Sequence, residues 1–135
     1  DALGTISNLS IFEGKYKPKS HTCRGCGLFS ETPNEKMTDV NIAAEMLMDA
    51  FDDLFDTAFL ISGDSDLVPP VRHVLKRFPD KRIVAIFPPK RISKEMRSIA
   101  STSLHVRPAE LRRCQFPDRI ERNPAPPLFR PLRWR

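Results

Sequence analysis

Apolar residues in this chain gather into short runs separated by turn-forming residues, and one run sets the frame for the rest. Ala58 to Ile61 is continuously apolar, ends at Ser62-Gly63-Asp64-Ser65-Asp66, and restarts as a periodic segment at Leu67, Val71, Val74, Leu75 and Phe78. A buried strand that stops at a glycine and hands over to an amphipathic helix is the strand–helix corner of an α/β sheet. Pro69 and Pro70 fit only the first turn of that helix, where backbone donors lack intrahelical partners. Pro79-Asp80 ends it, and Arg82 to Phe87 (RIVAIF) predicts a second strand, buried on both faces. Upstream, Val40, Ala43, Ala44, Leu47, Phe51 and Leu54 keep helical spacing, with Asn41, Glu45, Asp49 and Asp52 opposite. They predict a helix over 39–54 with Thr38 as its N-cap and Asp39 in its first turn. Downstream, Ser93 caps a short helix holding Met96, Ile99 and Ala100, Ser103 to Val106 is a last strand, and Pro108 to Cys114 one or two helical turns. Strands alternating with helices predict an α/β parallel sheet with flanking helices.

The two ends of the chain are less patterned. Asp1 to Ser7 reads as the end of a helix and Asn8 to Tyr16 as a strand. Lys15, Lys17 and Lys19 then share one face of an extended segment. His21-Thr22-Cys23-Arg24-Gly25-Cys26-Gly27 has the shape of a zinc knuckle, whose turn aims two thiolates at one Zn2+. His21 is a candidate third ligand and Cys114 or His73 a distant fourth; a redox pair and a plain loop stay open beside zinc. Ser30 to Asn34 (SETPN) reads as a turn. Beyond Pro117 the prolines, arginines and isolated Leu128, Phe129 and Trp134 keep no period, which divides the chain into a domain over 1–118 and a Pro/Arg-rich tail over 119–135.

Charge changes the picture once it is located. The chain of 135 residues has a net charge of +5. Residues 107–135 hold eight arginines against Glu110, Asp118 and Glu121, and the rest balances, fourteen basic against fourteen acidic. Eight acids and no Lys or Arg fall between Lys36 and Arg72. An acidic centre between basic segments suits a metal-dependent site acting on a polyanion. Three cysteines make no secreted disulfide framework, and no apolar run is long enough to span a membrane, so a cytoplasmic protein with no membrane partner is expected.

Candidate chemistry follows from topology. A helix preceding a parallel strand runs antiparallel to it, so Asp39 should rise at the same sheet edge as Asp64 and Asp66. Close carboxylates repel unless a cation offsets them, and three of them with water and phosphate oxygens suit Mg2+ or Mn2+. Lys90, Arg91 and Lys94, in the loop after the second strand, would stand beside that edge as phosphate ligands.

These residues also carry a resemblance. Glu35-Lys36-Met37-Thr38-Asp39-Val40-Asn41, Phe55-Asp56-Thr57-Ala58 and Leu60-Ile61-Ser62-Gly63-Asp64-Ser65-Asp66-Leu67-Val68-Pro69 closely resemble the NYN domain family of PIN-like nucleases, over about 8–118. The resemblance implies a Rossmann-like (PIN-like) sheet and metal-dependent ribonuclease activity. It further implies Asp39, Asp64 and Asp66 as catalytic, metal-binding acids, and Asn41, Ser62 and Ser65 as substrate neighbours. The family opens with an apolar strand ending in Asp, and Asp1 matches a position beyond it. An N-terminally shortened domain is therefore expected, with a sheet edge that self-association or a partner strand could complete. A catalytically inactive RNA-binding or protein-interaction module is the alternative.

Overall fold

A computed structural model describes residues 1–134. Arg135, the last residue of the expected tail, lies outside them. The described chain divides into two units, Phe12–His105 and the two ends, Asp1–Ile11 with Val106 onward.

The larger unit opens with an antiparallel hairpin, β1 (Lys15–Thr22) and β2 (Phe29–Lys36), in full register from Lys15↔Lys36 to Thr22↔Phe29. This corrects two expectations. Asn8 to Gly14 is not a strand, and Ser30–Asn34 is strand rather than turn. The turn is the Cys-x-x-Cys loop, closed by the Cys23 N–H to the Leu28 carbonyl and the Gly27 N–H to the Cys23 carbonyl, both 2.9 Å. Pro18 faces Pro33 across the ladder, and a ribbon with both edges open tolerates residues that lack a donor.

Next come α1 (Thr38–Phe51), β3 (Thr57–Ile61), a single 3-10 turn at Ser65–Leu67, α2 (Val68–Arg77), β4 (Arg82–Phe87), α3 (Lys94–Ile99) and β5 (Thr102–His105). The sheet order is β3-β4-β5, and both pairings are parallel. β4 is central, so Ile83, Val84, Ala85 and Phe87 are buried as RIVAIF predicted. Leu67, Val71 and Val74 of the α2 segment and Met96 of α3 bury fully in the same core. Each such side chain stabilises the fold by about 1.5–3 kcal/mol relative to exposure. Pro69 and Pro70 stand in the first turn of α2, and Ser93 caps α3 by accepting the Met96 N–H at 3.1 Å.

Helix α1 turns differently from its expected stripe. Met46 and Ala50 are buried, with Ile42, Ala43 and Leu47 packed against them, whereas Val40 is 70% and Phe51 61% exposed. On the side of α1 carrying them, Phe51 meets the Phe78 ring edge-on, centroids 5.2 Å apart, and Val40 lines an open groove. Strand β3 is likewise an edge strand, and its Phe59 and Ile61 are each 65% exposed. Beside it a groove of about 370 Å3 runs between Phe12, α1 and β3, floored by Ile42, Met46, Phe55, Ala58 and Leu60.

At the opposite end of the sheet from the acidic corner, Lys81 is buried beneath the start of β4. Its ammonium donates to Asp53 and, at 2.7 Å, to the Phe55 carbonyl, and it lies over the Phe55 ring. Paired in this way a buried lysine fixes the loop leading into β3 instead of costing the fold its desolvation energy.

The smaller unit holds a 3-10 turn (Leu3–Thr5), where a helix end was expected over residues 1–7, α4 (Pro108–Arg113), and a minimal ladder of β6 (Arg119–Ile120) with β7 (Leu128–Phe129). Salt bridges Arg119–Glu121 (2.8 Å) and Arg130–Asp118 (3.1 Å) occupy two of its arginines. Among the described residues no helix is long and apolar enough to cross a membrane.

Candidate active site

Three connections meet at the carboxyl edge of β3 and β4. The first is the β2–α1 junction. Met37 takes a left-handed φ of 83°, and α1 starts at Thr38, one residue earlier than the expected cap allowed. The capping group is Glu35, whose carboxylate accepts the Thr38 N–H at 3.1 Å and the Thr38 hydroxyl. Asp39 therefore sits in the first helical turn, as its spacing predicted, half-buried. A bulky residue with positive φ is strained, and here the strain aims the first turn of the helix at the corner.

The second connection is the corner itself. The Ser62 hydroxyl accepts the Asp64 N–H (3.1 Å), and the Asp64 carboxylate accepts the Asp66 N–H (2.9 Å). Two successive side-chain turns thus fix the loop, with Asp64 as the cap and Asp66 and Ser65 left exposed. Gly63 is not in the left-handed region. What excludes a side chain is space: a Cβ there would lie 2.8 Å from the Arg91 Cβ and 3.1 Å from the Arg91 carbonyl oxygen.

That contact brings in the third connection, the loop after β4. Lys90, in a left-handed conformation (φ 62°), and Arg91 belong to it, and Lys94 opens α3. None of the three forms a salt bridge among the described residues. Cations that no carboxylate has claimed now adjoin a loop of carboxylates.

Electrostatics register the convergence. The Asp39 carboxyl titrates above the usual range, first because burial disfavours its charge, then because of Asp64, Glu35 and Asp66 nearby. Glu35 is the member that spacing did not single out. Its position four residues before Asp39 becomes meaningful only once β2 is known to lead directly into α1. A groove of about 550 Å3 lies against this cluster, lined by Glu35, Lys36, Asp39 and Asp66 on one side and Pro70 and His73 on the other. Asn41 lines the separate groove beside β3, and Ser62 is engaged in the turn.

Among the described residues no three His, Cys, Asp or Glu side chains stand as a ready-made metal-ligand set. This holds equally for Cys23 and Cys26, which no third ligand accompanies. The acidic corner nevertheless has the donor chemistry of a hard cation. Mg2+ keeps several waters and takes only one or two carboxylates directly, and close carboxylates are stabilised by a cation among them.

A parallel sheet with its acids at the carboxyl edge and helices around it defines a Rossmann-like domain of the PIN-like class. The NYN domain matches residues 7–107, and the chain belongs to that family, whose fold is nuclease-like. No curated protein matches the sequence. Among solved structures, a protein of unknown function from Vibrio parahaemolyticus is similar at 22% identity over 68% of this chain, with a TM-score of 0.49. The chain spans about half of that protein, 51%.

Proposed function

We propose that this domain is a metal-dependent ribonuclease, hydrolysing RNA phosphodiester bonds with Mg2+ or Mn2+ held by Asp39, Asp64 and Asp66. The observation that carries the reading is the placement of Asp39, in the first turn of α1, beside the loop after β3 that holds Asp64 and Asp66; burial and then those neighbours raise the Asp39 carboxyl. A bound cation would supply an activated water and offset charge on the phosphate. The chain's own residues do the rest. Asp64 fixes the corner through the Asp66 amide, and Lys90, Arg91 and Lys94 take the phosphates on the far side of Gly63. Ser65 and Ser62 stand at the corner within reach of a bound strand.

A second reading has its own support. The incomplete ligand set among the described residues also suits a catalytically inactive RNA-binding or interaction module, with the open β3 edge as the place for a partner strand or a second copy. Incubating the chain with end-labelled single-stranded RNA, with Mn2+, Mg2+ or EDTA, separates the two. Cleavage that EDTA abolishes is expected; RNA retained uncut under both metals would favour the module.

A further inference from the structure

The hairpin tip carries chemistry that the acidic site does not use. Nearly every residue of β1 and β2 is exposed, so the loop at the end stands clear of the core. Two 2.9 Å bonds, Cys23 N–H to the Leu28 carbonyl and Gly27 N–H to the Cys23 carbonyl, wind residues 23–28 into a tight knuckle. Gly27 has φ 69°, which a side chain would resist, and a Cβ on Gly25 would sit 3.9 Å from the Cys23 sulfur. Both thiols are free.

We propose that Cys23 and Cys26 are half of a tetrahedral zinc site, completed by the same two cysteines of a second copy of this chain. Thiolate pairs select Zn2+ among abundant divalent ions, and structural zinc takes four protein ligands. The loop offers two, and among the described residues no third His, Cys, Asp or Glu joins them. A second hairpin tip is a ligand source with matching geometry, and residues 24–28 of the loop are exposed among the described residues. Charge agrees as well. Four thiolates leave zinc with a net charge of −2, and Arg24, between the cysteines, brings one positive charge from each copy. On binding, each thiol releases its proton to solvent and forms one Zn–S bond as a water leaves the metal.

The test uses the purified chain under a phosphine reductant, titrated with Zn2+ and separately with Co2+. The expected result is half an equivalent of zinc per chain, a doubling of mass by light scattering that EDTA reverses, and a Co2+ spectrum with tetrathiolate d–d bands. Cys23→Ser and Cys26→Ser should each abolish all three, and Cys114→Ser should leave them intact. An unchanged far-ultraviolet spectrum would show that the variants still fold. One zinc per monomer, a Co2+ spectrum without tetrathiolate bands, or a zinc-dependent dimer that survives Cys23→Ser would overturn the proposal. None of these readouts depends on RNA cleavage, so they stand apart from the nuclease reading.

Discussion

Gly63 and Arg91 touch so closely that a single methyl group on Gly63 would lie 2.8 Å from the Arg91 Cβ. The acidic loop after β3 and the basic loop after β4 are therefore one packed unit, and the spacing between its acidic and basic residues is built into the backbone. Gly63→Ala should push the loops apart, costing about 1–3 kcal/mol from overpacking. It should also lower RNA cleavage by about 10–100-fold, since small displacements of a positioned group are felt strongly. Thermal melting and initial rates at saturating Mn2+ check both. Wild-type rates in a folded Gly63→Ala protein would mean that the two loops act independently.

Asp39 gives a pH prediction with a definite sign. Its folded-state pKa is raised, mainly by burial and then by Asp64, Glu35 and Asp66. The folded state therefore holds that proton more tightly than the unfolded chain does. Its stabilising contribution is present at low pH and is lost as pH rises through the raised value. Asp39→Asn should flatten that loss and raise stability at neutral pH, by less than about 1 kcal/mol for a group only half-buried. Mn2+ should stabilise the wild type more than the variant. Equal stabilisation of both by Mn2+ in a differential scan would remove Asp39 from the metal site.

The Lys81 anchor should matter for stability but not for chemistry, since it lies at the amino end of the sheet. Lys81→Ala strands the Phe55 carbonyl without its donor and should cost about 1–3 kcal/mol. The Asp53 carboxyl is held below its usual range, chiefly by its hydrogen bond from Lys81. That contribution is present above the usual carboxylate pKa and is lost as pH falls through the depressed value. Urea melts at neutral and acidic pH should show the Lys81→Ala defect shrinking with acidity, while the metal dependence of cleavage stays unchanged.

The open edge of β3 predicts association. Phe59 is 65% exposed on the edge strand of the sheet, which pairs on one side only among the described residues. Phe59→Lys should leave monomer stability within about 0.5 kcal/mol and suppress self-association in EDTA, because a charged edge resists pairing. Unchanged sedimentation of the variant would show that this edge is inert.

How much of this the residues disclosed depends on burial. β4 and α2 were legible because both faces of the strand and one full face of the helix are covered, so Ile83, Phe87, Val71 and Val74 had to be apolar. The meeting of Asp39 with Asp64 and Asp66 followed from strand direction alone. The hairpin was not legible. Lys15, Lys17 and Lys19 did read as an extended segment, but Lys15 to Lys36 is largely exposed on both faces, so no alternation marked the pairing, and Pro33 with its polar neighbours disguised β2 as a turn. The orientation of α1 was misjudged because Val40 and Phe51, apolar and regularly spaced, stay largely exposed outside the core. Glu35 escaped notice because its role depends on a β2–α1 junction that no period marks.

The most direct measurement of the central claim is Mn2+-dependent cleavage of single-stranded RNA by the wild type and by Asp64→Asn. Asparagine keeps the oxygen that accepts the Asp66 N–H and removes only the charge, so the corner and the melting temperature should hold. The account predicts a drop in rate of about 100-fold or more, with RNA still bound, as expected when a ligand of a catalytic metal is lost. Cleavage by Asp64→Asn at the wild-type rate, in a protein that melts where the wild type does, would contradict it.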